Sequence, residues 1–161
     1  MTTETSPSTG PYVDVQVACT NHGLPSEQQI TAWVAAALTE GKQNSELSVR
    51  IVTTDESQTL NAQYRSKDKP TNVLSFPSDL PDYIDEPLLG DLVICADIVQ
   101  QEAEAQNKAC EAHWAHMLIH GTLHLQGYDH IEDDEAEEME ALETHILAGL
   151  GYPNPYENAG A

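Results

Sequence analysis

The chain has 161 residues, 40% of them apolar, and carries 27 Asp and Glu against 6 Lys and Arg, for a formal net charge of −21. That size fits one domain with one sizeable core, and its aliphatic content excludes intrinsic disorder. So acidic a surface also argues against a general polyanion binder, because neutralised phosphates supply most of such a protein's affinity.

No apolar run is long enough to cross a bilayer. Residues 1–10 read as a loose tail without the basic start and apolar stretch of a secretory signal. Cys19, Cys95 and Cys110 lie far apart with no CxxC pair, so reduced thiols acting as small apolar residues in the cytosol are expected. Arg65, Lys67 and Lys69 lie within five positions of one another and make the one basic cluster where a phosphate would be attracted.

In chain order, Val13, Val15, Val17 and Cys19 alternate with polar neighbours and predict a half-buried strand. Ser26 and Gln29 form a capping-box pair ahead of Ile30, Trp33, Val34, Ala37 and Leu38, which recur at helical spacing. Leu47, Val49 and Ile51 predict a second strand, and a short helix is expected from about Asp55 to Tyr64. Val73 to Phe76 and Leu88 to Cys95 read as the next two strands, separated by a loop broken at Pro77, Pro81 and Pro87. Helices are then predicted over Asp97 to about Asn107, Cys110 to Gln126 and Asp133 to Leu150, the last stopped by Gly149, Gly151 and Pro153.

This order implies an α+β domain over residues 11–156 with a mixed sheet of about four strands, flanked by short tails at 1–10 and 157–161. Trp114, Met117, Leu118, Ile119, Leu123 and Leu125 surround the helix from Cys110 to Gln126 on all sides. A helix apolar all round is buried, so this one is placed at the centre.

That central helix also carries His113, His116, His120 and His124. A lone buried histidine is ordinarily a satisfied core residue; four on one helix, with His130 just beyond, point to a metal. His120 and His124 are four apart and project from one face, so a single ion can take both. Gly127 can adopt the left-handed conformation that ends a helix and turns His130 back toward the pair. Three neutral imidazoles with a fourth position open is the layout of a catalytic zinc site.

His116 with His120 is an alternative pair, ranked lower because no third ligand is supplied as neatly. His113 and His116 read instead as packing residues or as residues that orient the ligands, and His22 and His145 as surface histidines. The spacing from His120 to His130 is that of the metzincin pattern HExxHxxGxxH, but Gly121 stands where a peptidase needs its glutamate base. A metallopeptidase is therefore disfavoured.

The stretch His120-Gly121-Thr122-Leu123-His124-Leu125-Gln126-Gly127-Tyr128-Asp129-His130 resembles the signature of the YbeY family of rRNA-maturation endoribonucleases. Thr71-Asn72-Val73-Leu74-Ser75-Phe76-Pro77 is similar to the family's TNVLSFP segment, and Leu89-Gly90-Asp91-Leu92-Val93-Ile94 to its GD strand. Tyr64-Arg65, the acidic helix with Glu138-Met139-Glu140, and Gly151-Tyr152 fit as well. The resemblance covers roughly residues 11–156, with the motifs in family order.

It implies one zinc-type ion held by His120, His124 and His130, with Arg65 as the catalytic arginine. It implies cleavage of single-stranded RNA in small-subunit (16S) rRNA maturation and ribosome quality control, and association with the ribosome and a ribosome-assembly GTPase. Neither a membrane nor DNA is expected as a partner.

From the residues alone, a surface salt bridge is the simpler reading of Arg65, although its planar fork suits a phosphoryl group gaining charge. Lys67 and Lys69 would position the strand. Asp129, beside His130, or Asp91, in a strand, would orient a ligand imidazole from behind, and Asp91 equally suits capping a turn. The run Glu132 to Glu138 reads as a helix start with a solvated face. A ribosome-assembly factor with a structural metal and no catalysis is the alternative of a different class.

Overall fold

The computed structural model describes residues 10–39, 42–78, 88–128 and 132–156. Pro81, Pro87, Asp129 and His130, each invoked above, lie outside them. The elements follow in the order β1 (Tyr12–Val17), α1 (Glu27–Ala37), β2 (Glu46–Val52), α2 (Thr54–Arg65), β3 (Val73–Pro77), β4 (Leu88–Cys95), α3 (Ala96–Ala105), α4 (Cys110–Leu125) and α5 (Asp133–Gly149). The strands form one sheet in the order β1-β2-β4-β3, parallel except for β3, which runs antiparallel to β4 along one edge. The α+β class with its four-stranded mixed sheet is as the sequence implied.

Local chemistry explains several boundaries. Ser26 and Gln29 make the expected reciprocal capping box at the start of α1. Helix α2 starts earlier than Asp55 because the Thr53 side chain accepts the Glu56 amide at 3.2 Å and caps it. In β1, Val13 and Val15 pack against the core while Val17 is 56% exposed, and the strand ends at Val17 rather than running to Cys19.

The two sheet faces are unequal. Leu47, Val49, Ile51, Leu92, Ile94 and Val73 enter the main core with α1 and α4. The opposite face holds a smaller cluster, Val52, Leu74, Val93 and Cys95, joined by Leu60 of α2 and Ile98 of α3.

Helix α4 is the hub, packing against β3, β4, α1, α3 and α5. Trp114, Leu118, Ile119 and Leu123 are all buried, as an all-round apolar helix requires. Its close approach to the sheet depends on Gly121: a Cβ there would lie 2.7 Å from Leu92 Cδ2 and 3.3 Å from Val73 Cγ2. Gln126 ties its C-terminus to the end of α1, accepting from Thr39 N at 2.8 Å and donating to Ala37 O at 2.8 Å. Among the described residues, no helix is long and apolar enough to cross a membrane.

Candidate metal centre and cleft

Four histidines line up along α4 with ring centroids 6.1, 6.2 and 4.5 Å apart from His113 through His124. Their environments divide them. His113 is buried, and its Nε2 lies 2.9 Å from Glu102 Oε1. Glu102 also accepts from the Asn72 side-chain amide, at 3.1 and 3.2 Å. Burial pushes the Glu102 carboxyl up, but the hydrogen bonds from His113 and Asn72 outweigh it and hold it below the usual range. This histidine braces α3, α4 and the start of β3.

His116 and His120 grip one carboxylate. Glu143 of α5 is wholly buried, with Oε1 2.8 Å from His116 Nε2 and Oε2 2.6 Å from His120 Nδ1. The Tyr156 hydroxyl, from the segment after α5, donates to the same Oε1. Burial drives the Glu143 carboxyl upward, yet hydrogen bonds from His116, His120 and Tyr156 prevail and bring it down to about 2. Burial also raises the Tyr156 phenol, reinforced by Glu143, and lowers His116 despite its carboxylate partner.

An ionised carboxylate only accepts, so His120 carries its proton on Nδ1 and turns its Nε2 lone pair outward. There, His120 Nε2 meets His124 Nε2 at 3.1 Å. Two nitrogens on one tetrahedral zinc sit roughly 3.3 Å apart, given Zn–N bonds of about 2.0–2.1 Å, so the pair fits one ion. Ligand atoms of His116, His120 and Glu143 also lie within 4.8 Å of one another, so that trio could itself take a metal ion.

The turn after α4 forms as its sequence predicts. Gly127 has φ +100°, Gly127 N donates to His124 O at 3.0 Å, and Tyr128 N donates to Leu123 O at 3.1 Å. This is a Schellman closure, and it ends α4.

His120 and His124 open into a cleft of about 750 Å³, whose other walls are Tyr64 and Arg65 at the end of α2, the length of β3, and Tyr128. Arg65 thus shares the cleft with the histidine pair. Arg65 is the last residue of α2, and the left-handed Ser66, φ 59°, ends the helix just after it. Lys67 and Lys69 lie in the following loop and are not among the described lining residues. Among those residues there is no Asp or Glu, although the chain has 27.

Asp91 is not brought to the histidines. It bonds the Ser48 hydroxyl beside Arg50 and Val93, on the sheet face away from α4, because side chains alternate along β4 and Leu92 takes the α4 side. Of the two carboxylates expected to orient a ligand imidazole, Asp91 therefore does not, and Asp129 lies outside the described residues; Glu143 makes such a contact to His120. His116 orients that carboxylate rather than facing the cleft.

Glu143 was missed in the sequence, yet it left a signal. It occupies the apolar stripe of α5 formed by Met139, Leu142, Ile146 and Leu147. A charge placed inward on one helix, opposite a helix rich in histidine, implies a buried pair.

Two comparisons bear on this arrangement. The family model for endoribonuclease YbeY matches residues 16–151. The solution structure of TM1509 from Thermotoga maritima is similar at 26% sequence identity and a TM-score of 0.55, covering 91% of this chain and 99% of that one.

Proposed function

Because the chain belongs to the YbeY endoribonuclease family, which makes it a nuclease of rRNA maturation, we propose that it is a zinc-dependent endoribonuclease acting on single-stranded RNA at the His120–Arg65 cleft. The observation that carries this reading is the cleft's chemistry. The imidazole pair and a guanidinium line it with no carboxylate among its described residues, in a chain of net charge −21. A polyanion can enter there without meeting a carboxylate of the described lining.

We assign His120, His124 and His130 as the metal ligands. Glu143 is excluded from that set, although it completes the alternative trio, because both its oxygens are already engaged by His116, Tyr156 and His120 inside the core. It holds His120 in the tautomer a ligand needs, the arrangement common behind metal-bound histidines. When bound, the ion supplies Lewis acidity to the phosphoryl group and to the attacking water.

The chain's own residues do the rest. Arg65 presents a fixed, permanently charged fork to phosphate oxygens as negative charge builds on phosphorus. Lys67 and Lys69 guide the strand outside the cleft, and Asp129 supports His130. Tyr64 is 59% exposed and Tyr128 half-buried, both on the cleft wall, where they suit unpaired bases better than a duplex. Gly121 leaves no general base beside His120 for peptide hydrolysis. Processing of 16S rRNA, quality control of the small subunit and docking with a ribosome-assembly GTPase follow as the cellular setting, in the cytosol.

The test is turnover of a short single-stranded RNA beside its duplex. Cleavage of the single strand, abolished by a chelator and restored by zinc, is expected. Tight binding to small subunits without any cleavage by the zinc-loaded protein would favour the assembly factor with a structural metal.

A further inference from the structure

Strand β3 forms one whole wall of the cleft, and it is an edge strand. Its ladder with β4 fixes which backbone groups face inward. Cys95 N donates to Asn72 O at 2.9 Å and Ser78 N to Leu89 O at 3.0 Å, so residues 72, 74, 76 and 78 direct their amides and carbonyls at β4. Val73, Ser75 and Pro77 direct theirs away from the sheet, toward the cleft.

The outward groups are not equivalent. Val73 N–H is taken by Asn72 Oδ1 at 2.6 Å, and proline has no N–H. Ser75 N–H is therefore the one outward donor of β3 without a partner among the described residues, set beside its own carbonyl.

An exposed strand edge is a template for another chain, and proteins ordinarily cover or blunt it. This edge suits a peptide strand poorly, because two of its three outward amides are withdrawn. What it offers is a single neighbouring donor and acceptor. The Watson–Crick edge of every nucleobase carries an adjacent donor and acceptor, presented only when the base is unpaired.

Resting on the reading of the cleft as an RNA site, we propose that the outward edge of β3 is a base-reading subsite. In it, Ser75 N–H and C=O pair with the Watson–Crick edge of one unpaired nucleotide of the substrate. The subsite selects single strands over duplexes while tolerating any sequence. It also gives an acidic protein an uncharged means of holding RNA.

The experiment compares oligouridine with oligo(N3-methyluridine), whose donor is blocked, as substrates of the zinc-loaded wild type, Ser75→Ala and Ser75→Pro. Proline at 75 deletes an amide that makes no ladder bond, so the sheet pairing is kept. The expected result is a KM about tenfold higher for Ser75→Pro than for Ser75→Ala, with kcat and zinc content retained. The wild type should show a comparable loss on the methylated RNA, with no further loss when variant and methylation are combined.

Equal KM for the two variants, or equal cleavage of both RNAs by the wild type, overturns the subsite. If Ser75→Pro does not fold, the wild type on the two RNAs decides alone. Competition by a β-strand peptide that displaces RNA would reassign the edge to peptide docking. A wild type that cleaves neither RNA defeats the reading beneath the subsite as well.

Discussion

At the scale of single residues, Arg65 and Gly121 carry the strongest expectations. Arg65 lines the cleft with the histidine pair, at the end of α2. If its charge acts in the transition state, Arg65→Ala should slow single-turnover cleavage by about 10²-fold or more at saturating enzyme, with fold and metal content intact. Arg65→Lys keeps the charge but loses the fork, and should recover only part of the rate. Wild-type rates in Arg65→Ala would return this residue to a surface role. Gly121 is excluded from peptidase chemistry twice, by lacking a carboxylate and by lacking room. Its Cβ would meet Leu92 and Val73, so Gly121→Glu should lose roughly 1–3 kcal/mol or more in denaturant unfolding and gain no activity on casein. Chelator-sensitive casein cleavage by this variant would overturn that expectation.

At the scale of elements, the His120–His124 pair and its cleft depend on two packed units, α4 against α5 and β3 against β4. Glu143 reaches from α5 to fix His120. Glu143→Gln should weaken zinc binding roughly 10–100-fold, measured by competition with a chromophoric chelator, because the neutral amide holds the imidazole less firmly. Unchanged affinity would show that His120 needs no such support. Gly90 has φ +146°, and a Cβ there would sit 2.3 Å from Phe76 O across the β3–β4 pair. Gly90→Ala should therefore cost roughly 3 kcal/mol or more and disorder the cleft wall, which the denaturant midpoint and amide exchange of β3 would reveal. A wild-type midpoint would show that the strands can part without penalty. These elements were legible in unequal degree. Apolar periodicity, the capping box at Ser26 and the glycine stop at 127 specify helices and strands locally, so they were read correctly from sequence. Which face of β4 bears Asp91 depends on strand pairing, and the inward aim of Glu143 depends on how α5 lies on α4. Neither is local, so periodicity along one element reveals neither that Asp91 faces away from the histidines nor that Glu143 meets His120.

At the scale of the whole molecule, the charge of −21 stops being an objection once its placement is seen. The acid lies outside the described lining of the cleft, and Arg65 is the one Lys or Arg in that lining. RNA affinity should then depend weakly on salt. Each phosphate contact on a single strand contributes a slope of about −0.7 in log K against log salt, so Arg65, Lys67 and Lys69 together give no more than about −2. Screening of the acidic surface by added salt flattens it further. A much steeper slope would mean a basic surface elsewhere, which the sequence does not contain. Whether a metal held at His120 and His124 drives RNA cleavage in this cleft is decided by titrating zinc into chelator-stripped protein while following cleavage of a single-stranded oligonucleotide. Activity should climb from near zero to a plateau at about one zinc per chain, with no activity at any zinc level in the His120→Ala, His124→Ala double variant. Full cleavage by the stripped protein, or zinc-dependent cleavage by the double variant, would contradict it.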